Sequence, residues 1–459
     1  MGAQRRIYTL NGLPPEVIAV AFAKTSRCPD PFDKIAAELN EDKSRQFHEK
    51  WVIGYGHGSI MEHAVLSIAL ENVSILLTKF LEDNRLASYT EKSTRYQVFD
   101  KEHYYKPENL MSSDLGKIYE ETCDFLIDKY TELVQKMTAF MQSKYPKAAD
   151  ETGGVYNTKI KNKVLDNLRC LLPVSILTNL GMTINTRNLR WAIVKLASSD
   201  LKEFNEIGAE LKQCAENITP TLLKHAEKNE FIEKNSTLLK ELSIKLITGT
   251  KQQKENTVDL VEYDKNGEDK IICSILYKNT GLSYLEIKQK VINLSKEEKG
   301  DIIQKAFEGL GKFDIPIRET EMPEYIFDIL MDYGAFRDVQ RHRICTQINP
   351  DLDVDYGYSI PEDVIEAGME ADYKSCMEKA KETFTKIKEK FPKEAQYVVP
   401  LAYRKRVLIK MNFREAFHFI RLRSGKQGHA SYRKIAQNMY DLIKDVHPML
   451  GKQLVVDKT

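Results

Sequence analysis

The chain has 459 residues, with 68 Lys and Arg against 67 Asp and Glu, a net charge of +1, and 42% hydrophobic and 29% charged residues. These proportions describe a soluble globular chain and exclude wholesale disorder. The length predicts two or three domains at about 150 residues each. A charge near zero makes nucleic acid and membrane unfavoured partners, so any anion site must come from local Arg and Lys clusters.

In chain order, residues 15–24 read as a helix, and a second helix is expected over 34–51 after Pro29 and Pro31. Gly54, Gly56 and Gly58 mark a turn. Leu66, Ile68 and Leu70 alternate with Ser67, Ala69 and Glu71, the period of a half-buried strand over 64–71. Leu76, Leu77, Phe80 and Leu81 have helical spacing, with Asn72 or Ser74 placed to cap. A long amphipathic helix follows over 113–143, then helices over 185–196 and 201–218. Residues 225–256, rich in Lys, Glu, Asn and Gln, read as a charged linker, helical or loosely ordered. Asn266-Gly267 predicts a hairpin between 258–263 and 270–277. Helices are expected over 283–294 and 296–308, a strand over 325–331, and a short helix leading into Arg341. Helices over 370–391, 412–423 and 431–446 complete the chain.

Two further patterns set the organisation. Leu172-Pro173 and Asn185-Thr186-Arg187 resemble Val399-Pro400 and Asn412-Phe413-Arg414, each 227 positions later. A polar run from Asp83 to Tyr96 is answered 258 positions later by one starting at Arg341. Equal offsets are the mark of duplication, so the chain reads as two diverged copies, 1–225 and 258–459, joined by the linker 226–257. Seven scattered cysteines with no C-x-x-C pair argue for reduced thiols in a cytoplasmic protein. No apolar h-region follows Arg5 and Arg6, and no apolar run reaches about 18 residues, so neither a signal peptide nor a membrane span is expected.

Arg341-His342-Arg343 is a dense cation of the kind that grips phosphate. Arg423 shares an apolar helical stripe with Ala416, Phe419 and Ile420, and Arg433 one with Ala436 and Tyr440. Each such arginine needs an internal carboxylate or an anionic ligand. Ser88, Ser93 and Arg95 add hydroxyls and a guanidinium. His57, Ser59, Glu62 and His63 follow the glycine turn, either as capping groups or as part of a site; their spacing is no standard metal pattern. No Walker A loop and no G-x-G-x-x-G fingerprint occurs.

Together these runs resemble the flavin-dependent thymidylate synthases, whose signature is R-H-R-x-x-S-x-N-x-x-S-x-R-Y. The first run keeps its back end, the second its front. His57-x-Ser59-x-x-Glu62-His63 is similar to that family's H-x-S-x-x-E-H element, and Asn412-x-Arg414 with His418 through Arg423 to its late helix. The resemblance implies an α+β fold, two diverged copies of an antiparallel sheet flanked by long helices. It implies reductive methylation of dUMP to dTMP, with FAD as cofactor and NADPH and methylenetetrahydrofolate as co-substrates. Arg341, His342, Arg343, His57, Ser59 and Glu62 would meet FAD. Ser88, Ser93, Arg95, Arg423 and Arg433 would bind the nucleotide, with Arg341 and Arg433 catalytic, and no metal is implied. Family members are tetramers, so a homodimer of this tandem chain would mimic one.

The departures are complementary. Asp83 and Asn84 replace Arg and His in the first half, Thr90 replaces Asn, and Leu196 and Gly208 stand where late arginines are expected. In the second half 349–353 replaces the serine and arginine wall, no H-x-S-x-x-E-H element is visible, and the family's glutamine three residues before R-H-R is Phe80 or Asp338. One composite site built from both halves is the expectation. The alternatives are a non-catalytic nucleotide- or flavin-binding homologue, and a related flavin methyltransferase acting on another pyrimidine or on RNA.

Overall fold

The computed structural model describes residues 5–250 and 256–459. Its core is two antiparallel sheets. The first holds β1 (Val65–Ser74), β2 (Ala87–Glu91) and β3 (Leu177–Asn185) in the order β1-β3-β2. The second holds β4 (Val258–Tyr263), β5 (Glu324–Asp332), β6 (Thr346–Ile348) and β7 (Arg404–Asn412) in the order β4-β5-β7-β6. The pattern β1-β3-β2 therefore recurs as β5-β7-β6, with β4 added at one edge. The duplication is physical, and the mixed helix and antiparallel-sheet fold matches the α+β expectation.

Local chemistry repeats with the topology. β3 and β7 each run into a helix capped by an asparagine: Asn185 accepts from the Asn188 amide and Asn412 from the Glu415 amide. β1 and β5 also end in caps, Ser74 accepting from Leu77 and Asp332 from Ala335. In each case a side-chain oxygen satisfies an amide that the first helical turn leaves open. Backbone joints recur too. The Ile75 amide donates to Ile176 at 3.1 Å, and the Tyr333 amide to Tyr403 at 3.0 Å.

The halves meet along a backbone seam. Pro173 faces Pro400 in an antiparallel bridge. The Val174 amide donates to Val399 at 3.0 Å, and in return the Leu401 amide donates to Leu172 at 3.0 Å. Proline offers no amide of its own, so the ladder is carried by its neighbours. Beside the seam the helices Gly116–Lys144 and Glu370–Lys390 pack together, and Thr122 and Thr383 share a hydrogen bond of 2.8 Å. Residues of both halves form one continuous apolar core. No described helix is long and apolar enough to cross a membrane.

Two expectations are corrected. Residues 267–279 are a helix, Gly267–Asn279, and β4 pairs with β5, so no hairpin forms at Asn266-Gly267. Ile271, Ile272 and Cys273 are buried on that helix, and Glu268 and Asp269 complement its amino-terminal dipole. Gly267 is needed for close packing, since an added Cβ would lie 2.7 Å from His447. The single helix over 34–51 is split into Phe32–Ala37 and Glu41–His48 because Asn40 caps the second, accepting from Lys43. In the linker region Glu230–Ile247 is a helix with no buried residue, and 251–255 lies outside the described residues.

A buried ion network crosses the seam. Glu91 of β2 meets Lys79 at 2.9 Å and Arg337 of the second half at 3.0 Å, and Arg337 also donates to Thr94 at 2.8 Å. Burial pushes the Glu91 carboxyl up, but Arg337 and Lys79 outweigh it and hold it at about 2. Removing one member of a buried pair strands the others in low dielectric. Glu91→Gln is therefore expected to cost about 3–5 kcal/mol in denaturant unfolding. Because the folded value lies below the ordinary glutamate value of 4.5, the stability it supplies is full above pH 4.5 and is lost as pH falls toward 2. Glu91→Gln should flatten that part of the pH profile.

Candidate functional site

The turn carrying Arg341, His342 and Arg343 leaves the helix Tyr333–Val339 and enters β6. Its three side chains take different directions. His342 is 5% exposed and sits in a relay. Its Nδ1 is 2.7 Å from Glu415, and its Nε2 accepts from Arg423 Nε at 2.9 Å. Accepting at Nε2 places the ring proton on Nδ1, facing Glu415. Burial lowers the His342 pKa, partly offset by Glu415. The neutral ring thus holds Arg423 by its Nε, with the guanidinium against the Tyr432 ring at 5.5 Å.

Arg343 turns toward the first half. It donates to the Ala87 carbonyl at 3.0 Å and covers the Tyr89 ring at 5.2 Å. Arg85, its counterpart 258 positions earlier, reaches back to Thr346 at 3.0 Å. The two arginines form a reciprocal clamp across the halves. Arg341 is exposed and makes no side-chain hydrogen bond among the described residues.

Next to this turn the first half contributes Arg95, bound to both oxygens of Asp166 at 2.6 Å and reaching the Gln427 carbonyl of the second half at 3.5 Å. Ser93 Oγ accepts from the Arg95 amide at 3.2 Å. Sequence reasoning missed the partner that completes the cluster, Arg169. It is 3% exposed, and its Nε and one terminal nitrogen have no hydrogen-bond partner. Asp338 lies 3.7 Å from Arg169 and 3.9 Å from Arg423. Burial pushes the Asp338 carboxyl up, while Arg169, Arg341 and Arg423 prevail and hold it below the usual range. The cluster therefore sets four arginines, Arg95, Arg169, Arg341 and Arg423, against two carboxylates, Asp166 and Asp338, and is cationic in excess. Such a group can take a phosphate or an ionised ring oxygen.

Asp166, Arg169, Glu415, His429 and Tyr432 belong to this neighbourhood and were not read from the sequence. The signal was present: Asp166 and Arg169 are spaced i, i+3 at the end of an apolar helical stripe. Gly428 lets Tyr432 approach, because an added Cβ would fall 2.5 Å from its ring.

Other expected residues stand apart. Arg433 donates to the Ser424 carbonyl at 2.9 Å and to the Thr459 carbonyl at 2.7 Å, so it holds the chain end while Tyr432 faces Arg423. Ser88 lies exposed on β2. His57, Ser59 and Glu62 lie exposed on the 3-10 turn Gly58–His63. His57 and Ser59 line a separate cavity of about 430 Å³ with Phe22, Arg27, Trp51 and His63. Glu62 pairs with Arg187 at 2.5 Å, and the second half repeats that pair as Glu321 with Arg414 at 2.6 Å. The H-x-S-x-x-E-H element thus has a structural counterpart in the turn Arg318–Glu321, although no sequence match marks it.

Protonating His342 would set two N–H groups against each other, at Nε2 and at Arg423 Nε. With its pKa lowered from 6.5, His342 contributes stability that is full above that pH and declines below it. His342→Gln cannot titrate and should remove part of the stability loss seen in urea unfolding as pH falls below 6.5.

The family model for thymidylate synthase complementing protein matches residues 10–221 and 259–449. A UPF0159 protein of Chlamydia pneumoniae is 31% identical, covering 96% of this chain and 90% of its own length. A flavin-dependent thymidylate synthase of Clostridium tetani is 26% identical, covering 44% of this chain and 82% of its own length. Among solved structures, a UMP/dUMP methylase of Streptomyces cacaoi bound with 5-Br dUMP matches with 12% identity and a TM-score of 0.37, covering 44% of this chain and 95% of that one.

Proposed function

The chain belongs to the thymidylate synthase complementing protein family, and on that premise we propose that it methylates dUMP at C5 to give dTMP. The carbon would come from methylenetetrahydrofolate and the reducing equivalents from NADPH through FAD. One observation carries the reading: Arg95 and Arg169 of the first half converge with Arg341 and Arg423 of the second on one cationic cluster. This supports a composite site, with Ser93, Arg95 and Arg169 as one wall and Arg341 and Arg423 as the other. Arg169, buried and with its Nε and one terminal nitrogen lacking a hydrogen-bond partner, suits the phosphate. Arg423, oriented by the His342–Glu415 relay, suits a pyrimidine oxygen, where charge stabilisation makes C5 more nucleophilic. Ser88, Arg343 and Arg433 are engaged or placed elsewhere, so the proposed site is narrower than the sequence suggested.

The residues present fit a flavin in two pieces. The cavity beside His57 and Ser59 has an aromatic platform, Trp51 stacked on Tyr55 at 5.1 Å, with Arg27 over Trp51 at 4.1 Å. Exposed Arg341 on the other half offers a phosphate contact. Bound there, FAD supplies electron transfer, and the protein orients its ring. The aromatic cavity is lined by first-half residues and Arg341 belongs to the second half, which is compatible with a flavin site completed in a homodimer.

Asp338 favours a second reading. A carboxylate among the arginines accepts hydrogen bonds, and an exocyclic amino group, as in dCMP, would satisfy it.

Tritium release from C5-labelled dUMP with methylenetetrahydrofolate, NADPH and FAD is the direct test, run beside labelled dCMP. Arg95→Ala and Arg423→Ala should each lower dUMP turnover at least about thirtyfold, the equivalent of about 2 kcal/mol. Purified protein should hold one FAD per chain. No release from either nucleotide and no retained FAD would overturn the proposal.

A further inference from the structure

The same repeat that builds the arginine cluster builds a second crevice, with its charges rewritten. By the offsets of 258 and 227, Asp83 takes the place of Arg341, Phe80 that of Asp338, and Leu196 that of Arg423. Gln396 replaces Arg169. Asp166 becomes Lys393, which pairs at 2.9 Å with Asp351, the counterpart of Ser93. No arginine remains in the lining, yet the crevice is open, with a volume of about 400 Å³.

Its walls are aromatic. Phe80 packs on Phe204 at 4.9 Å, and Tyr333 stacks on Phe336 at 5.5 Å. Four carboxylates (Asp83, Asp200, Glu233, Asp351) balance four lysines (Lys79, Lys195, Lys393, Lys405) around it. A balanced lining gives no net attraction to a phosphate. Lys405 is 5% exposed, lies 4.2 Å from the Phe336 ring, and forms no ion pair among the described residues. Burial pushes its pKa down to about 8, with Asp351 and Asp83 offsetting part of that.

The polar lining is biased toward acceptors. Gln340 spends its amide nitrogen on the Lys79 carbonyl at 2.7 Å, and Gln347 spends its own on the His342 carbonyl at 3.1 Å. The side-chain oxygens of Gln340, Gln347 and Asn349 are buried without a partner. Unpaired acceptors in a buried place are costly unless something donates to them. A crevice lined by aromatic residues, with spare acceptors and no net charge, suits a planar ring bearing N–H groups.

We propose that this second crevice binds an uncharged planar heterocycle whose edge presents adjacent N–H donors, the amino-oxo edge shared by guanine and pterins, and that it does not bind a nucleotide through its phosphate. The site is separate from the arginine cluster, and its occupancy does not depend on the reaction proposed there. Titration calorimetry on the intact chain, with guanosine and with pterin as probes, tests it and tells the two sources apart. At least one probe should bind saturably below about 1 mM. Gln347→Leu and Lys405→Met should each weaken that binding at least tenfold, while Arg423→Ala and added inorganic phosphate leave it unchanged. Absence of saturable binding by both probes would overturn the proposal. So would binding lost in Arg423→Ala or competed by dUMP, which would place the probe in the arginine cluster.

Discussion

The backbone exchange around Pro173 and Pro400 is the constraint from which the rest follows. Two copies of one fold share a ladder, so neither copy can close its own core. Hydrogen bonds across the seam are buried and obligatory, which fixes the relative placement of the halves. Several charged groups that cross the seam then have a defined partner. Arg337 finds Glu91, Arg343 finds the Ala87 carbonyl, and Arg85 finds Thr346. The functional cluster is one more such crossing, left incompletely paired.

A symmetric scaffold offers the same crevice twice, and divergence has separated the two uses. In one, a relay of Glu415 and neutral His342 holds an arginine by its Nε, and a buried Arg169 keeps open nitrogens. In the other, Leu196 and Phe80 close the corresponding positions with apolar surface. Even the supporting contacts are exchanged. Ser74 donates to Glu203 in the first half, whereas Ser431 donates to Asp332 in the second, so acid and hydroxyl have swapped elements. Such exchanges keep a hydrogen bond while shifting where negative charge sits.

Much of this was legible because it rests on local pattern. The cap at Ser74 and the alternation in β1 each express a short-range rule, and the equal spacing of Pro173 and Pro400 expresses the repeat. β7 was not read as a strand, although Val407, Ile409 and Met411 alternate. Its buried position 405 is a lysine, and Arg404 and Arg406 flank it, so the apolar signal starts late. Asn266-Gly267 misled because a turn dipeptide was weighed above the apolar pairs 271–272 and 275–276, which follow helical spacing. Arg423 was identified correctly as a stripe arginine needing company. Its company, His342 from 81 positions earlier, is a tertiary fact that no local rule contains. Arg433 shows the same limit at finer scale, since one step along the helix separates it from Tyr432, which faces Arg423.

The seam also has a cost in time. Pro173 emerges from the ribosome 227 residues before Pro400. At about 5–20 residues per second, that interval is roughly 10 to 45 seconds. Throughout it the first half presents an uncapped ladder and an uncovered face of its long helix, Gly116–Lys144. An exposed edge of this kind is a template for pairing with other nascent chains. The helix Glu230–Ile247 is made during that wait and leaves Phe231, Leu238, Ile244, Leu246 and Ile247 exposed, so it adds to the apolar surface at risk rather than shielding it.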